Sequence, residues 1–144
     1  MSPIPQQLLI SGTVLFLLSL LIGFAIPALR NPRMGVSVHV AGVQSGITLW
    51  VLGLMWHRLA LSNSTQLVTQ SLAVFGLYAI FASLTLSAIW GTSRATPVAG
   101  AGYQASRSRE TAVTVLLTGG SLAILVAASL VLWGLCAWRA EGLI

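Results

Sequence analysis

Four long apolar blocks run along the chain, at about residues 8–29, 36–56, 67–90 and 112–138, separated by short stretches that carry almost all of the charge. Each is longer than the roughly 20 residues that a helix rising 1.5 Å per residue needs to cross bilayer hydrocarbon. Trp56, Trp90 and Trp138 close the last three blocks, at the level where indole rings prefer the headgroup layer. No basic residue precedes the first block and Arg30 follows it, so it reads as a retained span rather than a cleaved signal. The pattern predicts an all-α integral membrane four-helix bundle, a single domain over residues 1–144 with no internal repeat. The one long connection, "GTSRATPVAGAGYQASRSRE", is rich in Gly, Ser and Ala and is either a flexible linker or a lid; its length favours a lid, in which Tyr103 would close over a site.

Composition sharpens this picture. Of 144 residues 56% are hydrophobic and 6% charged, with mean hydropathy +0.92, a balance that belongs to membrane proteins. The net charge of +5 comes from arginines beside two acids, yet these arginines lie between and beside the apolar blocks rather than in a stripe. They read as topology anchors and not as a nucleic-acid surface. Arg30, Arg33, Arg94, Arg107 and Arg109 fall in the first and third loops, whereas only Arg58 and Arg139 lie on the opposite side. The asymmetry predicts a bacterial-type inner membrane protein with loops one and three in the cytoplasm and both termini outside. The single cysteine, Cys136, offers neither an intrachain disulfide nor a thiolate cluster, and the absence of Cys-x-x-Cys-His excludes c-type haem attachment.

Candidate chemistry begins at His39, just inside the second block. Residues three or four apart share a helix face; from His39 that face carries Gly42, Gly46, Trp50 and Gly53. The Gly42-x-x-x-Gly46 spacing allows close helix packing, and the same bare surface would let a flat ring lie against it. Span one offers Gly12, Phe16, Ser19 and Gly23 on one face, span three Ser71, Tyr78 and Thr85, span four Thr114, Thr118 and Ser121. Tyr78 near mid-span needs a hydrogen-bond partner or a cavity, and Gln44 and Ser45 need partners as well.

No Asp or Glu falls within the four predicted spans, which removes the carboxylate that a small proton-coupled antiporter would use. His39 is either an interfacial residue or, as ionisable groups inside spans default to, a functional one. His57 is 18 residues further on, about 27 Å along a helix axis, so the two histidines of one chain cannot ligate one haem iron. If His39 holds iron, the opposite axial position is open to a substrate, which is the arrangement of catalysis rather than of electron relay. His57 itself, beside Arg58 and after Trp56, reads as interfacial.

The segment "NPRMGVSVHVAGVQSG", the four-span layout and the loop stretch "GTSRATPVAGAG" together resemble the hydroxylaminobenzene mutases, membrane proteins that rearrange arylhydroxylamines to aminophenols. The His-x6-Gly spacing of His39 and Gly46 is also similar to that of the styrene oxide isomerases. The resemblance implies a small aromatic substrate, a homotrimer, and haem b ligated by His39 with ferric iron acting as a Lewis acid. It makes Ser45, which stands where the isomerases have an active-site asparagine, and Tyr78, the only tyrosine of the third span, candidate catalytic groups beside Gln44. Gly42 and Gly46 become the face against which the haem lies, and Arg33 and Arg94 either pair with its propionates or serve as topology anchors. Two other readings remain: epoxide isomerisation to an aldehyde on the same scaffold, and a cofactor-free structural or small-molecule transport protein.

Overall fold

A computed structural model describes residues 3–141, with side chains through Trp138; Arg139, counted in the charge asymmetry, is described by its backbone alone, and the ends of the predicted 1–144 domain lie outside the described residues. Four helices form it: α1 (Ile4–Ala25), α2 (Pro32–Met55), α3 (Asn63–Trp90) and α4 (Arg107–Glu141), with single 3₁₀ turns at Ile26–Ala28 and Trp56–Arg58. Among the described residues there is no strand. All four helices are long and apolar enough to cross a membrane, so the chain is a multi-pass, all-α membrane protein.

Each helix starts about a turn before the apolar block that announces it, and for α2 and α3 a side-chain cap sets the start. Asn31 is the N-cap of α2, its side chain accepting from the Met34 N–H, with Pro32 at the first helical position where its missing N–H costs nothing. Ser62 caps α3 in the same way through the Thr65 N–H. Gly91, at φ +70°, ends α3 in the left-handed conformation with its N–H donating to the Ser87 carbonyl.

The bundle is two antiparallel hairpins, α1 with α2 and α3 with α4, joined through α2 and α3; α1 touches α3 lightly and α1 and α4 are not packed together. Burial follows that order: 39% and 44% of the apolar windows of α2 and α3 are buried, against 17% and 22% for α1 and α4, which leave most of their surface exposed. Each hairpin closes on a pair of glycines that meet backbone to backbone. A Cβ on Gly12 would lie 2.7 Å from the Gly46 carbonyl oxygen and one on Gly46 would lie 2.8 Å from the Gly12 oxygen; Gly76 and Gly120 stand in the same relation at 2.8 and 2.9 Å. Such contacts replace the hydrophobic driving force that lipid removes between membrane helices.

The third loop is fastened to the bundle end rather than loose. Buried Asn31 donates through Nδ2 to the Ala99 carbonyl, Arg33 donates to Val98, and Arg30 donates to the carbonyls of Trp90 and Gln104. From the other side Glu110, in the first turn of α4, accepts the N–H groups of Ser93 and Arg94. Tyr103 packs near Gly91 at this end, half-buried.

Candidate active site

α1 and α2 cross with the two small-residue faces against each other, and this sets the surroundings of His39. Gly23 leaves room for the ring: a Cβ there would stand 2.9 Å from His39 Nδ1 and 3.1 Å from Cε1. The ring of His39 is half-buried, and Nδ1 is 2.9 Å from the Ser19 carbonyl oxygen, while Ser19 Oγ donates back to the His39 carbonyl. A carbonyl can only accept, so Nδ1 carries the proton; in the neutral ring Nε2 then keeps its lone pair. Fixing one imidazole nitrogen on a backbone carbonyl is how proteins orient a histidine for metal ligation through the other.

One turn below, the helices come too close for anything flat to enter. A Cβ on Gly42 would meet Phe81 and Ser19, each at 2.7 Å, and Gly46 faces Gly12 and Phe16. Trp50, further along the same face, donates through Nε1 to Thr13 Oγ1 and packs on the Phe16 ring at 5.0 Å between centroids. Of the two roles expected of this glycine face, close packing is the one the structure contains. Within the chain α1 and α3 cover Gly42 and Gly46, so this face offers a flat ring no room inside one bundle.

Ser45 and Tyr78 lie deeper. Ser45 is buried six residues past His39, about 9 Å along the axis, at the level where α2 touches Gly12. Tyr78 is half-buried and its hydroxyl donates to the Ser11 carbonyl at 2.9 Å, which supplies the partner its depth demands. Ser11 and Ser19, which hold Tyr78 and His39, are eight residues apart on one helix, about 12 Å. The structure therefore gathers Ser45 and Tyr78 into one layer of the bundle and separates both from His39 within a chain. Gln44 is exposed on α2, where its backbone carbonyl accepts from the Thr48 hydroxyl and its side-chain amide makes no hydrogen bond among the described residues. Arg33 and Arg94 are exposed at the same end of the bundle as His39, Arg33 tied to Val98 and neither touching the imidazole.

His57, by contrast, is exposed in the 3₁₀ turn after α2, and the neighbouring Arg58 lies over the Trp138 ring. Among the described residues no three His, Cys, Asp or Glu side chains come together as a metal cluster, so His39 is a lone ligand candidate. Sequence reasoning placed Ser19 and Gly23 on one face and His39 on another without joining them. It passed over Asn31, although an Asn-Pro pair opening a helix is a legible cap signal.

Against known proteins, the family model described as styrene oxide isomerase matches residues 4–136. Two relatives come from Ectopseudomonas oleovorans. Hydroxylaminobenzene mutase HabB is 39% identical over 93% of this chain and 82% of its own length, and hydroxylaminobenzene mutase HabA is 40% identical over 74% of this chain and 80% of its own. No solved structure matches the chain. A family match across nearly all of both hairpins sets aside the structural and transport readings. The chain belongs to the styrene oxide isomerase family and is a membrane isomerase.

Proposed function

We propose that this protein rearranges arylhydroxylamines, hydroxylaminobenzene first among them, to 2-aminophenols, with ferric haem b held by His39. The names of the two relatives support the substrate class. The observation that carries the haem is the fastening of the imidazole: Nδ1 committed to the Ser19 carbonyl leaves Nε2 as the nitrogen for iron.

When bound, the ferric haem supplies a Lewis acid to the departing hydroxylamine oxygen. The protein's own part is to hold and to exclude. His39 is oriented by α1, and the apolar faces of the spans keep water from an electron-poor ring that it would capture. Substrate and product contain the same atoms, so no electron donor or second substrate is required. Arg33 and Arg94, on the His39 end, are assigned to the propionates, and Tyr78 and Ser45 to the packed layer below rather than to the oxygen. By resemblance the active form is a homotrimer, and the arginine asymmetry puts loops one and three in the cytoplasm.

The test is direct. Purified protein in mild detergent is expected to show a Soret band and to convert phenylhydroxylamine to 2-aminophenol, and His39→Ala to lose both. An active, colourless preparation overturns the haem, and a fully active His39→Ala overturns the site. A second reading, epoxide isomerisation, is favoured by the description of the family model. It prevails if styrene oxide yields phenylacetaldehyde while phenylhydroxylamine is left unchanged.

A further inference from the structure

On the second hairpin, beside the third loop, the end of α3 and the start of α4 border a groove of about 800 Å³. Its walls are Leu86, Val115 and Leu116, and Arg107, Ser108 and Thr111 stand at its rim. From Arg107 to Val115 is eight residues, about 12 Å of helix, which approaches the depth of one leaflet of a hydrocarbon core about 30 Å thick. The rim lies at the headgroup level, since Arg109, two residues on, stacks over the Trp90 ring at 5.6 Å.

Charge at this end is one-sided. Arg30, Arg33, Arg94, Arg107 and Arg109 meet a single acid, Glu110, whose two carboxylate oxygens are occupied by the Ser93 and Arg94 N–H groups. Arg30 and Arg33 are spent on loop carbonyls and Arg109 on an indole. The exposed guanidiniums of Arg94 and Arg107 make no hydrogen bond, ion pair or ring contact among the described residues, and of the two only Arg107 lines the groove. An unneutralised guanidinium above an apolar furrow one leaflet deep is complementary to one kind of molecule, a phosphate bearing an acyl chain.

We propose that the α3–α4 groove is a site for an anionic phospholipid, with one acyl chain along Leu86, Val115 and Leu116 and the phosphate on Arg107. The site is independent of the reaction at His39. It would clamp the second hairpin near the anchored third loop.

The protein is reconstituted into nanodiscs of phosphatidylcholine doped with phosphatidylglycerol, released into mild detergent, and its retained lipids are counted by native mass spectrometry. Retention of phosphatidylglycerol over phosphatidylcholine is expected to be about five-fold, the preference one basic residue confers at an anionic surface. Arg107→Gln should abolish that preference and Arg107→Lys should largely keep it. Val115→Trp, at a position 65% exposed that tolerates bulk, should lower retention of both lipids by filling the furrow. Helical circular dichroism of each variant checks that it is folded. Equal retention of the two lipids by the wild type, or an unchanged preference in Arg107→Gln, overturns the proposal. So does displacement of phosphatidylglycerol by millimolar inorganic phosphate, which would mean a phosphate site with no use for the groove. A shift in oligomer mass in Val115→Trp with lipid retention intact also overturns it, because the groove would then belong to a second copy of the chain.

Discussion

Gly23→Ala adds one methyl group against the ring of His39, and the structure fixes what that methyl does. Its Cβ would stand 2.9 Å from Nδ1, where ordinary contact begins at 3.4 Å, so the ring must withdraw by about 0.5 Å. Ser19 is on the same helix as Gly23, and a ring pushed off α1 leaves the Ser19 carbonyl as well. Its 2.9 Å hydrogen bond then lengthens to about 3.4 Å, beyond the useful range. Losing that bond costs about 0.5–1.5 kcal/mol, and alanine in a helix returns about 0.5–1 kcal/mol. Net stability should therefore move by less than about 1 kcal/mol. Orientation does not cancel in this way: losing the partner that fixes a metal-binding histidine typically costs 10–100-fold in affinity or activity. The expected result is a thermal unfolding midpoint in detergent close to wild type, with 2-aminophenol formation and Soret absorbance per chain both reduced 10-fold or more. Gly119→Ala, where a Cβ meets nothing within 4 Å, is the control and should leave product formation and colour unchanged. Wild-type activity and colour in Gly23→Ala would refute the claim that the α1 backbone positions His39.

Gly46→Ala should destabilise the first hairpin by about 1–3 kcal/mol, because its Cβ would press on the backbone of Gly12 and Phe16, which cannot rotate away; an unchanged unfolding midpoint would contradict this packing. Asn31→Ala removes both the cap on Met34 and the bond to Ala99, for about 2–3 kcal/mol, and limited proteolysis should then cut within residues 91–106; a loop as resistant as wild type would show that Asn31 does not hold it. Tyr78→Phe should cost about 0.6 kcal/mol of stability and leave turnover within a few-fold, since its hydroxyl is engaged by Ser11 well away from His39; a loss of 100-fold or more would return Tyr78 to the chemistry.

The spans were legible because bilayer thickness writes itself into sequence as block length, and three of their ends were legible through Trp56, Trp90 and Trp138. Even the matched faces were visible separately: Gly12, Phe16, Ser19 and Gly23 on one block, and His39, Gly42, Gly46 and Trp50 on the next. Joining them needs the crossing geometry, which a list of faces lacks, and so the reading of Gly42 and Gly46 stopped at two options. The pairing of Gly76 with Gly120 depends on the same crossing geometry, which neither glycine reveals on its own span. Glu110 was counted with the loop because the apolar block begins after it, although α4 begins before it. What single-sequence reasoning could not supply was the height of Tyr78 relative to His39, a quantity set by how α3 slides along α1.

His39 and Tyr78, an imidazole and a phenol within the spans, are both fastened to backbone carbonyls of α1, at Ser19 and Ser11. Those carbonyls are reachable because α1 is small at the crossing, with Gly12 and Gly23 flanking Ser19. A backbone acceptor cannot be deleted by mutating its own side chain, so α1 controls the site through its placement rather than through its functional groups. Its placement in turn rests on one neighbour: α1 packs along α2 and only lightly on α3, and the Gly12–Gly46 approach sets its distance from α2. A methyl on Gly46, seven residues from His39, should then displace the same carbonyl from which a methyl on Gly23 parts the ring. If so, the two substitutions act on one coordinate, and their combined effect on activity falls short of the product of the single effects. Full multiplicativity in the double variant would mean that the carbonyl rail of α1 is not what connects the packing of the hairpin to His39.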